Sequence, residues 1–274
     1  MKIGEQLREA TQLINSDEGQ LASEVLMRHI LRVDRTGLYL AMEEEISPEQ
    51  EAAFWGLVKR LKGGEALAYI IGHKEFYGVN FLVTPDTLIP RPETELVVDK
   101  VIELAKSYPE PYIADIGTGS GAIAISLALA LPQAKIIATD ISSQALMVAD
   151  KNSQQYHTED RVILLEGDLL SPLPGPVDII VANLPYVKSS EIPPESCEPK
   201  IALDGGEDGL ELIGRLVKES HGLFRDSIVI EIGQGQQAQI EEMLTKSFPG
   251  KPVQFYRDLN GIERLAVLSI QAIY

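Results

Sequence analysis

Residues 112–127 constrain this chain more than any other stretch. Tyr112-Ile113-Ala114-Asp115-Ile116 reads as a strand, Gly117-Thr118-Gly119-Ser120-Gly121 as a loop, and Ala122-Ile123-Ala124-Ile125-Ser126-Leu127 as an apolar helix. Strand, glycine loop and helix in that order bring backbone close to a ligand, because glycine tolerates the required φ values and carries no Cβ. The order implies a nucleotide-like cofactor. It also belongs to a longer alternation: strand-like runs at 112–116, 135–139, 162–165, 177–181, 227–232, 253–256 and 264–268 are mostly separated by helical stretches at 93–106, 121–130, 143–155, 210–222 and 235–246. Such alternation predicts an α/β fold, a doubly wound parallel sheet with helices on both faces. Only Arg257-Asp258-Leu259-Asn260-Gly261 separates the last two strands, a turn that brings the final strand in antiparallel.

The amino-terminal part has a different period. From Ile3 to about Leu67 apolar residues such as Leu7, Ala10, Leu13 and Ile14 recur at helical spacing. Breaks are expected at Asn15-Ser16-Asp17, Asp34-Arg35-Thr36-Gly37 and Ser47-Pro48-Glu49. Ser47 is placed as an N-cap, Pro48 in the first turn and Gln50 at the capping-box position; Lys62-Gly63-Gly64 closes the last long helix. Phe76-Tyr77-Gly78-Val79-Asn80-Phe81-Leu82-Val83 then reads as a hairpin. The expected organisation is a helical domain at 1–73, a β-hairpin linker at 74–90 and an α/β domain at 91–274.

Asp140 closes the second strand of the alternating region, at the distance where a carboxylate accepts both ribose hydroxyls in dinucleotide folds. That feature alone fits NAD and S-adenosylmethionine equally. Two details favour S-adenosylmethionine: the glycines fall as D-x-G-x-G-x-G, and Asp115 would face a cationic amino-acid moiety but repel a pyrophosphate. Asp168-Leu169 follows the third strand, where Asp168 would accept the adenine amino group and Leu169 cover the ring; Gly-Asp is also an ordinary turn. The fourth strand ends in Asn183-Leu184-Pro185-Tyr186, across the sheet switch point from the glycine loop. An amide nitrogen is a poor nucleophile because its lone pair is delocalised. The Asn183 side-chain oxygen and the Leu184 carbonyl, held extended by Pro185, could grip its N–H groups and aim the lone pair, with Tyr186 stacked on the flat group. Asn and Pro also end strands for purely structural reasons.

The charge narrows the partners. A net −17 repels phosphate backbones, so direct nucleic-acid binding is not expected. The single cysteine, Cys197, and four scattered histidines offer no metal site, and no metal is expected. The start, Met1-Lys2-Ile3-Gly4-Glu5, has no signal-peptide apolar stretch, and nothing is long enough to span a membrane, so a cytoplasmic location is expected.

Taken together, Glu75-Phe76-Tyr77-Gly78, Leu88-Ile89-Pro90-Arg91-Pro92-Glu93-Thr94-Glu95, the glycine loop, the tetrapeptide, Glu198-Pro199 with Gly205-Gly206, Glu231-Ile232-Gly233, and Arg257-Asp258 before Gly261-Ile262-Glu263-Arg264 resemble the HemK/PrmC family of peptide chain release factor glutamine N5-methyltransferases. The resemblance implies a Rossmann-like seven-stranded methyltransferase domain behind a small all-helical domain. It implies S-adenosyl-L-methionine held by Asp115, Gly117, Thr118, Gly119, Ser120, Gly121, Asp140, Asp168, Leu169 and Asn183. It further implies a glutamine held by Asn183 through Tyr186, in the Gly-Gly-Gln (GGQ) motif of class I release factors, with the enzyme acting as a monomer. Leu184 stands where the family usually has Pro, and the N-L-P-Y order is shared with ribosomal RNA adenine dimethyltransferases. Glutamine methylation of a ribosomal protein and adenine methylation of nucleic acid are the alternatives. The Arg91-to-Glu95 run suits either a helix cap or a lid over the cofactor, and 198–209 reads as a loop near the substrate.

Overall fold

Side chains of Asp34 and Ser47 cap two of the helices near the start of the chain. The computed structural model describes residues 1–270; the last four residues of the expected catalytic domain, 271–274, lie outside the described residues. Two compact units are separated between His73 and Lys74. In the first, α1 (Ile3–Ile14), α2 (Gly19–Leu31), α3 (Arg35–Leu40), α4 (Pro48–Lys62) and α5 (Leu67–Ile71) follow one another. Ser47 Oγ accepts from Gln50 N while Gln50 Oε1 accepts from Ser47 N, the reciprocal pair expected of a capping box. The expected break at Asp34–Gly37 is instead the start of α3. Asp34 Oδ1 accepts from Gly37 N at 2.7 Å, so the polar residues cap a short helix where a turn was expected. Ile3, Leu7 and Ala10 of α1, Leu26 and Met27 of α2, Leu38 of α3, and Phe54 and Val58 of α4 are the buried core of this unit.

At the boundary begins a two-stranded hairpin, β1 (His73–Phe76) and β2 (Val79–Leu82), which from Lys74 on belongs to the second unit. Its turn puts Tyr77 at φ 51° and Gly78 at φ 77°. A left-handed tyrosine is strained. It is held by tertiary bonds, from Tyr77 N to Glu95 Oε1 at 2.9 Å and from Tyr77 Oη to Asp99 Oδ1 at 2.7 Å. A 3-10 turn, Pro92–Thr94, then leads into α6 (Glu95–Ala105).

The sheet follows as β3 (Tyr112–Ile116), α7 (Ala122–Ala130), β4 (Lys135–Asp140), α8 (Ser143–Gln155), β5 (Val162–Glu166), β6 (Val177–Ala182), α9 (Glu211–Glu219), β7 (Phe224–Glu231), α10 (Gln237–Ser247), β8 (Val253–Arg257) and β9 (Glu263–Ser269). Its seven strands lie in the order β5-β4-β3-β6-β7-β9-β8, and β9 is antiparallel to both neighbours. The tight turn before β9 sets that direction: Asp258 Oδ1 accepts from both Asn260 N and Ile262 N. Alternate residues of each central strand face opposite layers. Ile113, Ile179 and Val181 join α6 and α7 in one apolar cluster, and Ala114, Ile116, Ile180 and Ala182 join α9 and α10 in the other. β7 begins at Phe224, three residues before the expected start. Phe224 pairs with Val177 and is buried, while the polar Arg225 that hides this strand in the sequence bonds Asp178 at 3.1 Å. Among the described residues no helix is long and apolar enough to cross a membrane.

One polar side chain ties hairpin, helix and glycine loop together. Asn152 of α8 is fully buried; its Oδ1 accepts from Leu82 N at 2.7 Å, and its Nδ2 donates to Leu82 O at 3.0 Å and Ser120 O at 2.8 Å. Asn152→Ala strands three backbone groups and should destabilise the protein by about 2–4 kcal/mol. Urea denaturation monitored by circular dichroism checks this, and a loss within error of zero would show that the clamp is replaceable.

Candidate active site

Parallel pairing of β3 with β6 aligns Ile116 with Ala182, so the loop after β3 and the tetrapeptide after β6 leave the sheet side by side. The chain winds away from this point in both directions, β4 and β5 to one side and β7 to the other, which opens a crevice at the strand ends. A cavity lies there. Gly117, Thr118, Gly119, Ser120, Asp140, Asp168, Leu169, Asn183, Leu184 and Pro185 line it, joined by Arg91 and Thr94 from the segment before α6.

The glycine loop is not an anion cradle. Gly117 N and Thr118 N both donate to Thr139 O at 2.9 Å, and Gly119 N donates to Asp140 Oδ2 at 2.8 Å. The N–H groups of Gly117, Thr118 and Gly119 are therefore already engaged, and a carboxylate stands among them. Asp140 Oδ1 also accepts from Ser142 N at 2.9 Å. Burial raises the Asp140 pKa, and the N–H groups of Ser142, Gly119 and Ile141 oppose that rise. Leu169 sits on the cavity at φ 47°, its carbonyl accepting from Thr139 Oγ1 at 3.1 Å. Asp168 also borders the cavity, but its Oδ2 pairs with Arg215 of α9 at 2.7 Å.

Three expected site residues stand behind the wall. Asp115 is fully buried and does not line the cavity; its Oδ2 accepts from Thr118 Oγ1 at 2.6 Å and from Ala124 N at 3.2 Å. It caps the first turn of α7 and fixes the loop that lines the cavity. Gly121 serves packing: a Cβ there would come within 2.9 Å of Ile125 Cδ1 and 3.2 Å of Ala149 Cβ, so its absence lets α7 approach α8. Tyr186 turns from the cavity toward Glu231, where its Oη donates to Oε1 at 3.2 Å. Burial first, then the Glu231 carboxylate, raises the Tyr186 pKa far above its usual range.

Asn183 is anchored through its nitrogen. Nδ2 donates to Thr94 Oγ1 at 3.2 Å, which leaves Oδ1 as the accepting end of the amide. The following backbone is gripped from behind: Gln236 Nε2 donates to Tyr186 O at 3.0 Å and to Gly209 O at 3.3 Å. Gly209 has no room for a side chain, since a Cβ would lie 2.4 Å from Tyr186 O. The Arg91-to-Glu95 run combines cap and wall. Pro92 opens the 3-10 turn, Glu95 takes the hairpin's Tyr77 N–H, Arg91 lines the cavity with its guanidinium on Glu198, and Thr94 holds Asn183. Glu198 Oε1 also accepts from Ile89 N at 3.0 Å, which joins the 198–209 loop to the site.

Residues 5–72 match the family model described as PrmC N-terminal domain, and residues 92–185 the model described as ribosomal protein L11 methyltransferase (PrmA). A Moorella thermoacetica protein named release factor glutamine methyltransferase is 42% identical over 82% of this chain and 82% of its own. One of the same name from Bacillus anthracis is 35% identical over 99% of this chain and 100% of its own. The chain belongs to the release factor glutamine methyltransferase family. In fold it is similar to the N-terminal domain of human METTL16 in complex with SAH, with a TM-score of 0.54 at 19% identity over 78% of this chain and 84% of that one.

Within this family site, Thr94, Gln236, Glu231 and Asn152 were missed as functional partners by motif reading. Thr94 and Glu231 lie inside quoted motifs, but no spacing shows that they converge; Gln236 and Asn152 carry no local signal at all.

The buried Asp115 makes a pH prediction. Burial pushes its carboxyl up to about 7, against the pull of the Thr118 hydroxyl and the Ala124 N–H. The folded protein thus keeps a proton that the unfolded chain releases near the ordinary carboxylate value. The contribution of this group to stability therefore falls as pH rises from about 4 to about 7. Asp115→Asn should flatten that decline in the urea midpoint, leaving the part due to Glu231, which is raised to about 7 in the same way. An undiminished slope in the variant would show that Asp115 is ionised throughout.

Proposed function

We propose that this chain methylates the side-chain amide nitrogen (N5) of the glutamine in the GGQ motif of class I peptide chain release factors, with S-adenosyl-L-methionine as methyl donor. The observation that carries the reading is the anchoring of Asn183: its nitrogen is held by Thr94, and its oxygen is left to accept at a cavity also lined by the glycine loop. Family membership supplies the substrate class, because the relatives matching nearly all of the chain are named for release factor glutamine methylation.

The cavity fits a sulfonium nucleoside better than a dinucleotide, since the N–H groups of Gly117, Thr118 and Gly119 are consumed and Asp140 places a carboxylate where a pyrophosphate would lie. Asp140 would accept the ribose hydroxyls through its remaining lone pairs. Thr118, Gly119 and Ser120 would flank the amino-acid moiety. Leu169 would cover the adenine face, with Asp168 and Arg215 at its edge. Gly117, Gly121 and Asp115 would act by shaping the loop. The bound donor supplies an electrophilic methyl group. The protein's part is orientation: Asn183 Oδ1 and the Leu184 carbonyl accept the two N–H hydrogens of the carboxamide and aim its lone pair, while Pro185 keeps the backbone extended. As charge develops on the nitrogen the two acceptors stabilise it, and the proton leaves afterwards. Tyr186, held by Glu231 and Gln236, fixes the end of the tetrapeptide.

Residues 1–73 would recognise the substrate protein, 74–90 would link, and 91–274 would carry the chemistry. A monomer in the cytoplasm, acting without nucleic acid, suits the net charge of −17, which attracts a basic protein and repels RNA. The PrmA match over 92–185 favours one second reading, a ribosomal-protein glutamine as the target.

Labelled S-adenosylmethionine is supplied with a release factor, with the same factor carrying Gly-Gly-Ala, and with ribosomal proteins. Label on the GGQ glutamine alone, located by mass spectrometry of the tryptic peptide, is expected. Label on a ribosomal protein or on added RNA instead would overturn the reading. Asn183→Ala should lower transfer by about a hundredfold or more while donor binding by calorimetry persists.

A further inference from the structure

Gln236 is the N-cap of α10, a position where Ser, Thr, Asn or Asp is favoured because a short side chain can cap the helix. The Gln236 side chain caps nothing there. It is buried, and its amide is engaged elsewhere: Oε1 accepts from Gly233 N at 2.8 Å, while Nε2 donates to Tyr186 O at 3.0 Å and to Gly209 O at 3.3 Å. A flipped amide would set its oxygen against two carbonyls and its nitrogen against an N–H, so one orientation alone fits. The residue departs from the local preference in order to join three segments of chain.

Two of those segments run straight out of the cavity wall. After Tyr186 the chain leaves through a loop and returns beside itself, with Val187 N donating to Leu203 O at 3.0 Å and Gly205 N to Val187 O at 2.8 Å. The return touches the tetrapeptide backbone to backbone. A Cβ on Gly205 would lie 2.7 Å from Pro185 O and 2.8 Å from Gly209 O, and one on Gly209 would lie 2.4 Å from Tyr186 O. Asn183, Leu184 and Pro185, just before Tyr186, line the cavity, and so do Ile201 and Ala202, just before the return. Both lining stretches lead into the place where the Gln236 amide sits, so that amide sets the distance between them.

We propose that Gln236 is a positioning residue for methyl transfer: its side-chain amide locks the returning loop onto Tyr186 and so fixes Asn183 to Pro185 relative to Ile201 and Ala202 at the cavity. The catalytic consequence rests on the function proposed above; the clamp itself does not.

Gln236→Glu makes the clamp depend on a proton. A neutral carboxyl keeps two of the three bonds, accepting from Gly233 N and donating to one carbonyl, whereas a carboxylate faces two carbonyl oxygens. Burial and those oxygens raise the pKa of such a carboxyl, so the variant holds its clamp at low pH and loses it as pH rises. The ratio of variant to wild-type kcat should fall about tenfold or more between about pH 5.5 and about pH 8.5, with KM for the release factor within about threefold of wild type. The titratable and charged groups around the clamp are Tyr186 and Glu231, which bond each other, Arg264 and Arg91, which act on Tyr186, and Asp208 and Glu211, which accept from Leu210 N and Glu207 N. All are present in both proteins and cancel in the ratio.

Gly205→Ala tests the clamp from its other side. Gly205 is not in the left-handed region, so the added methyl wedges the return away from Pro185 O without backbone strain. Gly205→Ala and Gln236→Ala should each lower kcat by about ten- to a hundredfold, and the double variant should be no worse than the poorer single one. Hydrogen exchange gives a measure independent of turnover. In wild-type protein the Gln236 side-chain amide should exchange at least about tenfold more slowly than that of the exposed Gln239, and Gly205→Ala should remove the difference. A ratio that does not change with pH, a multiplicative double variant, a loss confined to KM, or an unprotected Gln236 amide would overturn the proposal. A wild-type protein that methylates no release factor would sink the function reading instead, with the exchange measurement still deciding for or against the clamp.

Discussion

The register of two adjacent strands decides where chemistry can occur in this molecule. β3 and β6 are separated in sequence by two other strands and two helices, yet Ile116 lies beside Ala182, and the backbone beyond each turns into the same crevice. A slip of one residue would invert the facing of every side chain on β6 and remove Asn183 from the cavity. That register is held by hydrophobic alternation. Ile179 and Val181 fill the layer with α6 and α7, Ile180 and Ala182 fill the layer with α9 and α10, and all four are fully buried. The apolar core therefore specifies the active-site geometry, and polar groups are added only at the strand ends.

Polar side chains then correct what the strands alone leave loose. Asn152 binds Ser120 and the hairpin from beneath, Asp140 takes the Gly119 N–H, and Thr139 takes those of Gly117 and Thr118 through its carbonyl. On the other side of the crevice Thr94, Gln236 and Glu231 act on the tetrapeptide. They come from α8, β4, the turn before α6, the start of α10 and β7, so the site is a convergence of five segments of chain. Loops supported in this way hold a fixed shape, which is what an orienting mechanism needs.

Most of the architecture was legible because it follows from local periodicity. The strands of the sheet core, the Ser47 capping box, the hairpin around Gly78 and the antiparallel last strand all lie where runs of β-branched residues or turn chemistry place them. The exceptions share a cause. α3 and the early start of β7 depend on Asp34 and Arg225 finding partners, and a single sequence does not show partners. The same limit governs the site. Gly117, Asp140 and Asn183 sit on the cavity, as motif order implies, because each belongs to an element that ends there. Asp115, Gly121 and Tyr186 belong to the same motifs but face inward, and only packing distinguishes a residue that touches a ligand from one that supports its neighbour.

Asp115 and Glu231 make that distinction physical. Asp115 stands one residue before the end of β3 and Glu231 ends β7, the two strands that flank β6, and each is buried with one oxygen that has no hydrogen bond among the described residues. Neither is a contribution to fold stability above neutral pH, where ionising a desolvated carboxyl costs free energy. Each instead holds a loop: Asp115 the glycine turn through Thr118 and Ala124, Glu231 the end of the tetrapeptide through Tyr186. An apolar residue would pack as well in either place but could not choose among hydroxyl rotamers. The strand on which Asn183 rides is thus bracketed by two acceptors whose cost to the fold is offset by orientation on both walls of one crevice, and the low dielectric that makes them costly also makes their hold on nearby donors strong.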